Sequence, residues 1–393
     1  MPEAPRISWT ERGQPHDARW RSERGAPPPS KVVVADDRMT ADDAYGLACQ
    51  GVGLLWRGDF HNARQMVTAL AHRVDRPPGK RAKPVPAVNR APAELFNLER
   101  QARAQRARTL GMLLVPIEGD YGIPLRRAPD LREACTEAWG AADGEVSVVS
   151  LRELQGVVGA HEWRRNGIEL PAQRMRIHPR YGVFSPVRSE YVDLVAKQPL
   201  PKALATASVA FDVGTGTGVL AAVLARRGIR RVIATDLDER ALACARDNVQ
   251  RLGLAAQVEV VRADLFPEGR AALVVCNPPW LPARPSSPLE HGIYDPESRM
   301  LKAFLAGLPA HLERGGEGWL ILSDLAEHLG LRTREQLLAD IAAAGLEVVG
   351  RSDARPSHAR ATDAADPLHA ARKSEVTSIW RLASRVAAPS PSG

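Results

Sequence analysis

The sequence is poor in cysteine, and the cysteines it has are scattered. Its four cysteines form no Cys-x-x-Cys pair, so neither a disulfide framework nor a cysteine-based zinc site is expected. We interpret them as small, reduced core residues and predict no metal site. They are Cys49, Cys135, Cys244 and Cys276.

Long apolar runs are also missing. No stretch approaches the roughly 18 apolar residues of a membrane-spanning helix. The first residues have no apolar core and carry acidic side chains, which argues against a signal or transit peptide. We therefore expect a soluble, cytoplasmic chain that has no membrane partner. The acidic residues are Glu3, Glu11, Asp17 and Glu23.

Aromatic residues are few, at 5% of the chain, whereas basic residues are in excess, with a formal net charge of +7. Most of the excess lies in residues 73–108, which hold ten basic and three acidic side chains. Residues 76–92 are basic and proline-rich, as in a linker. A helix-like run follows at 93–112. The charge fits either a solvated surface or a phosphate-contacting patch for RNA or a ribosomal particle. Few aromatic residues interleave with the arginines of this run, so the run is not a base-stacking platform. The arginines are Arg100, Arg103, Arg106 and Arg108.

The most informative segment is the sequence Asn277-Pro278-Pro279-Trp280, which directly follows a β-branched run. Two consecutive prolines cannot continue a strand, so the chain must stop there in a fixed extended geometry. This presents the Asn277 side chain and the Pro278 carbonyl as two acceptors beside a flat ring. Such a site suits a planar –NH2 group held by both hydrogens while Trp280 stacks on its plane. We interpret Asn277 and Pro278 as catalytic and Pro279 and Trp280 as substrate-binding; a rigid turn with a packed tryptophan is the structural alternative.

A glycine-rich turn follows an apolar strand at 209–213. Val219 stands where the last glycine of a dinucleotide-binding fingerprint would fall, so the spacing differs from that fingerprint. Alternating glycines after the acidic Asp212 instead let the backbone approach a ligand that carries no phosphate at this point. The glycines are Gly214, Gly216 and Gly218.

Polar residues also end the strands that follow. Asp236 ends a strand at 231–236, where a carboxylate can bind both hydroxyls of a ribose. Asp264 follows a strand at 257–262 and is placed to meet an adenine amino group, and Asn277 ends the fourth strand. Ligands of open α/β sheets bind outside the carboxyl ends of the strands, so these groups should gather at one site.

Residues 178–384 resemble the class I S-adenosylmethionine-dependent methyltransferases of the small-domain type, which include release-factor glutamine methyltransferases and ribosomal and tRNA N-methyltransferases. The matching motifs lie at 211–218, 235–238, 263–266 and 277–280. The resemblance implies S-adenosylmethionine as cofactor and a Rossmann-like, doubly wound α/β sheet of seven strands, the last antiparallel. It also implies that residues 181–193 close over the methionine end of the cofactor. Trp280 departs from the more usual tyrosine or phenylalanine, which leaves the size of the target open. The implied cofactor-binding residues are Asp212, Gly214, Thr215, Gly216, Thr217, Gly218, Asp236, Asp264, Asn277 and Phe184.

Composition and pattern divide the chain into domains. A mixed α/β substrate-recognition domain is expected before the methyltransferase domain, with one or two helices over residues 40–75 and strands at 112–116 and 146–149. No motif marks its function. The expected boundaries are a disordered tail at 1–30, the N-terminal domain at 31–175 with the linker at 76–92, the methyltransferase domain at 176–385 and a disordered tail at 386–393.

The predicted function is N-methylation of a planar amino group. Two target classes fit equally: an exocyclic base amine of rRNA or tRNA in a ribosome-associated substrate, and a glutamine side-chain amide of a release factor or ribosomal protein. The broad Trp280 ring and the basic N-terminal half favour RNA. A small-molecule methyltransferase and a catalytically inactive RNA-binding module are further alternatives, and the oligomeric state stays open.

Overall fold

The computed structural model describes residues 4–76, 90–186, 189–206, 208–355 and 366–385. The chain divides into two compact units: the first ends at Glu162, and the second begins at Trp163 and also contains Ala91–Phe96. This division lies upstream of the predicted boundary between 175 and 176. Most of the predicted linker and the whole predicted tail at 386–393 lie outside the described residues.

The first unit is built on a six-stranded sheet with strand order β1-β2-β6-β5-β4-β3. The strands β3, β4 and β5 are parallel, β6 is antiparallel to β5 and parallel to β2, and β1 is antiparallel to β2. The strand bounds are β1 (Arg6–Glu11), β2 (Gln14–Arg21), β3 (Lys31–Ala35), β4 (Val52–Trp56), β5 (Leu113–Ile117) and β6 (Ser147–Ser150). The helices are α1 (Ala41–Cys49), α2 (Phe60–Val74), α3 (Pro92–Leu110), α4 (Arg132–Trp139) and α5 (Leu151–Asn166), and α3 and α5 also contain residues of the second unit.

Alternation along the central strands builds a core on each face of this sheet. In β4, Leu54 and Trp56 join the larger cluster with Met66 and Leu70 of α2. Leu55, between them, joins the smaller cluster on the other face. Because successive strand side chains point to opposite faces, a strand with two covered faces is apolar throughout.

One prediction for the N-terminal half is wrong, and a second missed a strand. Residues 6–21 were expected in a disordered tail, but they form β1 and β2, in which Ile7, Ala18 and Trp20 are buried. Most of the side chains in these strands are polar, so their composition resembles that of a disordered segment. Residues 40–75 were expected to form one or two helices, and α1 and α2 form there, but the unpredicted strand β4 separates them at Val52–Trp56. A short, fully apolar run does not distinguish a strand from a buried helix turn. The helix predicted at 93–112 and the strands predicted at 112–116 and 146–149 are confirmed as α3, β5 and β6.

The second unit contains a seven-stranded sheet with strand order β11-β10-β9-β12-β13-β15-β14. The five strands β9 to β13 pair with one another in parallel, and β15 is antiparallel to both β13 and β14. This confirms the doubly wound sheet with its antiparallel last strand. The bounds are β9 (Val209–Val213), β10 (Arg231–Asp236), β11 (Val258–Arg262), β12 (Ala271–Cys276), β13 (Leu312–Ser323), β14 (Leu346–Ala354) and β15 (Thr377–Ser384).

Helices cover both faces of this sheet, and a hairpin precedes it. The hairpin is β7 (Ile168–Leu170) and β8 (Met175–Ile177), and the Arg226 side chain donates to the carbonyls of Gln173 and Arg174 beside it. No helix among the described residues is long and apolar enough to cross a membrane. The helices are α6 (Glu190–Lys197), α7 (Val219–Arg226), α8 (Glu239–Arg251), α9 (Arg299–His311), α10 (Leu325–His328), α11 (Arg334–Ala343) and α12 (His369–Ser374).

Candidate functional site

The strand order reverses between β9 and β12, and this switch point brings two of the predicted motifs together. Cys276 of β12 pairs with Val213 of β9. The residues that follow, Asn277 and Gly214, therefore leave neighbouring strands at the same level. A switch point at the carboxyl ends of parallel strands is where ligands of open α/β sheets bind.

The glycine turn after β9 has the backbone geometry that only glycine adopts without strain. Gly214, Gly216 and Gly218 have φ angles of 73°, 55° and 80°, all in the left-handed region. A Cβ on Gly214 would lie 2.8 Å from Met300 Cε, and one on Gly218 would lie 3.2 Å from Ala245. At Gly216 no protein atom lies within 4 Å of that position. The first and third glycines thus make room for protein, whereas Gly216 faces open space.

Asp212, at the end of β9, carries a buried and incompletely bonded carboxylate. It exposes 1% of its surface. Its Oδ2 accepts hydrogen bonds from Thr215 Oγ1 at 2.6 Å and from the Ala221 N–H at 3.0 Å. Its Oδ1 is buried without a partner among the described residues. Burial raises the pKa of Asp212 to about 6, although both donors favour the ionised form. A buried acceptor in this state is costly unless a ligand supplies a donor.

Asp236, at the end of β10, is tied to the glycine turn. Its Oδ2 accepts from the Gly216 N–H at 3.0 Å, and its Oδ1 accepts from the N–H groups of Leu237 and Asp238 at 2.8 and 3.0 Å. Burial raises its pKa, and these backbone donors counteract the rise. Because a carboxylate has about four lone-pair sites, Asp236 retains acceptor capacity for a ligand.

The loop after β11 places the exposed Asp264 next to the end of β10. The Ala263 N–H donates to the Asp236 carbonyl at 3.2 Å. Leu265 has a φ of 68°, and its carbonyl accepts from Thr235 Oγ1 at 2.5 Å. A bulky residue rarely adopts this backbone conformation, so the hydroxyl of Thr235 helps to hold a strained loop in place.

The Asn-Pro-Pro-Trp segment directly follows β12, whose residues are all buried. Pro278 is buried, and Asn277, Pro279 and Trp280 are partly buried. Trp280 Nε1 donates a hydrogen bond to Asn277 Oδ1 at 2.9 Å. Burial raises the pKa of the preceding Cys276 thiol well above its usual value, so a reactive thiolate is disfavoured there.

The loop after Trp280 folds back against the segment that was predicted to close over the cofactor. The Leu281 N–H donates to the Ile293 carbonyl at 3.2 Å, and the Asp295 N–H donates to the Leu281 carbonyl at 2.8 Å. Gly292, on the same loop, lies so close to Phe184 that a Cβ would be 2.6 Å from that of Phe184. Phe184 thus contacts the loop that follows the signature.

The remaining predicted residues, Thr215 and Thr217, are buried in the glycine turn, and Asn248 Nδ2 donates to the Thr217 carbonyl at 3.0 Å. Sequence reasoning missed Asn248, Met300 and the buried Asp295. The Asp295 carboxylate accepts from the N–H groups of Met300 and Leu301 at 3.0 and 3.1 Å. An aspartate lying four residues before a helix does not have the spacing of a capping residue, so no sequence signal marked it.

The second unit combines a doubly wound sheet of this strand order with an alternating-glycine turn and an Asn-Pro-Pro-aromatic segment at the switch point. This is the architecture of the S-adenosylmethionine-dependent methyltransferases, and the second unit is a domain of this class. Residues 174–340 match the family model described as the methyltransferase small domain. This match lies within the second unit.

Individual relatives agree over part of the chain. A ribosomal protein L11 methyltransferase of Pelotomaculum thermopropionicum is 33% identical over 156 residues, which is 34% of this chain and 50% of the relative. A release factor glutamine methyltransferase of Cereibacter sphaeroides is 38% identical over 120 residues, 27% of this chain and 43% of the relative. The chain thus spans about half the length of these curated relatives. The solved structure of a ribosomal protein L11 methylase from Lactobacillus delbrueckii subsp. bulgaricus aligns with 56% of this chain and 90% of its own at 14% identity, with a TM-score of 0.35.

Proposed function

We propose that the protein transfers a methyl group from S-adenosylmethionine to the nitrogen of a planar –NH2 group. The observation that carries this proposal is the position of Asn277 and Pro278 at the carboxyl end of β12, level with the glycine turn after β9. This arrangement supports the proposal that Asn277 Oδ1 and the Pro278 carbonyl accept hydrogen bonds from the target nitrogen next to the methyl donor.

The residues around the glycine turn fit this cofactor. The open space at Gly216 leaves room for a ligand against the backbone. The unpartnered Oδ1 of Asp212 suits a cationic ligand, and S-adenosylmethionine carries an ammonium and a sulfonium. Asp236 and Asp264 would hold the ribose and the adenine amino group, as predicted, and Phe184 would cover the methionine end.

In this proposal the chain contributes position and electrostatics. Bound S-adenosylmethionine supplies a methyl carbon that is already activated by the positive sulfur. Asn277 Oδ1 and the Pro278 carbonyl accept the two N–H hydrogens of the target, which favours a tetrahedral nitrogen with its lone pair free. The same acceptors stabilise positive charge as it develops on the nitrogen. The proton leaves to water after transfer.

A protein glutamine amide is the target that we propose first. Release factor glutamine methyltransferase and ribosomal protein L11 methyltransferase, the relatives that share the domain, are named for protein substrates. The basic run of α3 is also partly neutralised within the chain. Arg106 forms two hydrogen bonds with Asp75, at 2.7 and 2.8 Å, and Arg103 pairs with Glu99 one turn away. Side chains engaged in this way are less available for phosphates.

An exocyclic amine of RNA is the second candidate. The observation that favours it is the excess of basic over acidic residues between 73 and 108. The two targets present the same planar –NH2 group, so the acceptor pair alone does not separate them.

Incubating the protein with methyl-labelled S-adenosylmethionine and a cell extract, followed by separation into protein, RNA and small-molecule fractions, tests the proposal. We expect label in protein that survives ribonuclease and appears as N-methylglutamine after proteolysis. Label in RNA would favour the second candidate. An absence of transfer to all fractions, with the cofactor shown to bind, would contradict the proposed activity.

We expect three of the four arginines of α3 to contribute little to any RNA binding. Replacing Arg100, Arg103 and Arg106 by glutamine should leave the slope of log affinity against log salt nearly unchanged, because Arg103 and Arg106 are paired with carboxylates and so make few phosphate contacts. Titration of labelled RNA at several salt concentrations measures the slope. A slope reduced by about 0.7–0.9 for each arginine would mean that they do contact phosphates and would favour RNA.

Replacing Gly216 by alanine should weaken S-adenosylmethionine binding, because the new methyl group enters the open space proposed for the cofactor. Gly253→Ala is a matched control: Gly253 also has a positive φ, 70°, and no atom within 4 Å of the Cβ position. Both variants should therefore carry similar backbone strain, about 1–2 kcal/mol. Calorimetry should show an affinity loss in Gly216→Ala alone. Equal affinities for S-adenosylmethionine in the two variants would contradict the proposal that the cofactor lies against Gly216.

A further inference from the structure

The signature segment contains a hydrogen bond that joins two of its own side chains. Trp280 Nε1 donates to Asn277 Oδ1 at 2.9 Å. The indole is partly buried and packs against the apolar clusters on both faces of the seven-stranded sheet, one containing Val275 and the other Cys276. These contacts restrict the position of the ring.

The bond selects one orientation of the Asn277 carboxamide. An indole N–H is a donor only, so it faces the oxygen of the amide and not the nitrogen. A carboxamide turned by 180° would present its own NH2 group to the target amino group, and two donors would then face each other. Because Oδ1 has two lone pairs, it can accept from Trp280 and still accept one hydrogen from the target.

We propose that Trp280 is a positioning residue that keeps Asn277 Oδ1 oriented as an acceptor for the target nitrogen. The inference rests on the function proposed above. It differs from the stacking role predicted from the sequence, in which only the flat face of Trp280 matters. A phenylalanine would retain such a face but could not orient the amide.

The two roles predict different kinetics for Trp280→Phe. Loss of one neutral hydrogen bond, worth about 0.5–1.5 kcal/mol, corresponds to a fall of about 2- to 10-fold in kcat, with KM for the methyl acceptor nearly unchanged. In an Asn277→Ala background the same substitution should have no further effect on kcat, because the oriented group is already gone. A raised KM with an unchanged kcat, or equal effects in both backgrounds, would overturn the inference in favour of stacking.

A spectroscopic test separates this inference from the proposed activity. In protein labelled with ¹⁵N at its eight tryptophans, the indole resonance that disappears in Trp280→Phe belongs to Trp280. We expect its proton to exchange slowly with solvent and its resonance to shift in Asn277→Ala. If the resonance does not respond to Asn277→Ala, the hydrogen bond is absent and the inference is wrong, whether or not methyl transfer is observed. If the resonance responds but no methyl transfer occurs, the bond stands and the proposed function fails.

Discussion

Replacing Asn277 by alanine should lower the turnover of methyl transfer by about 10²–10³-fold, the scale of removing one preorganised group that stabilises developing charge. The affinity for S-adenosylmethionine should change much less, because most of the groups proposed to hold it lie at or after the ends of β9, β10 and β11. Turnover at saturating substrate, combined with calorimetric titration of the cofactor, measures both quantities.

Asn277→Asp is the matched control for this prediction. It keeps an oxygen that can accept from the target and from Trp280 Nε1, so it should lose less activity than the alanine variant. If Asn277→Ala loses as much cofactor affinity as turnover, then Asn277 only supports the structure of the site. The proposal that its Oδ1 accepts a hydrogen bond from the target nitrogen would then be wrong.

Replacing Asp212 by asparagine should weaken cofactor binding and at the same time stabilise the free protein. Removal of a charge-assisted contact with a cationic ligand should lower the affinity by about 10- to 100-fold. Because burial raises the pKa of Asp212 from 3.8 to about 6, the ionised side chain destabilises the folded state at pH 7 by on the order of 3 kcal/mol. Asparagine keeps an acceptor for Thr215 and Ala221 without this charge.

The sign of the pH dependence follows from the raised pKa. The folded state holds the Asp212 proton more tightly than the unfolded state, so the contribution of Asp212 to stability declines as the pH rises from about 4 to about 6. Thermal unfolding of the Asn variant should lack this decline. Cofactor affinity of the unchanged protein should fall as the pH drops below about 6, where Asp212 becomes protonated. A variant that is less stable than the original at pH 7, with unchanged cofactor affinity, would contradict both expectations.

The sequence predicted the second unit well because its signals depend on local physics. A strand that ends in alternating glycines or in two prolines has few conformations available to it, so the ends of β9 and β12 could be located from residue type alone. The antiparallel last strand came from the family resemblance, and the pairing of β15 with β13 confirms it.

The first unit was predicted less well, for a different reason. The strands β1 and β2 are mostly polar, and their apolar side becomes visible only in the structure, where Ile7 and Trp20 join Leu55 and Leu114 in one cluster. The Trp280–Asn277 bond was missed on similar grounds. The direction of an indole depends on the apolar clusters that hold its ring, and those clusters are assembled from strands far apart in the sequence.

The two consecutive prolines of the signature have a consequence for the product. Neither Pro278 nor Pro279 has an N–H, so the backbone of these two residues offers only acceptors to a bound target. With the roles proposed for Asn277 and Pro278, the site recognises a nitrogen by its two hydrogens. A carboxylate or ester in the same place would put its oxygen atoms against these acceptor oxygens, and no hydrogen bond would form. A nitrogen that has received one methyl group keeps a single hydrogen and satisfies only one of the two acceptors. The product should therefore be monomethylated.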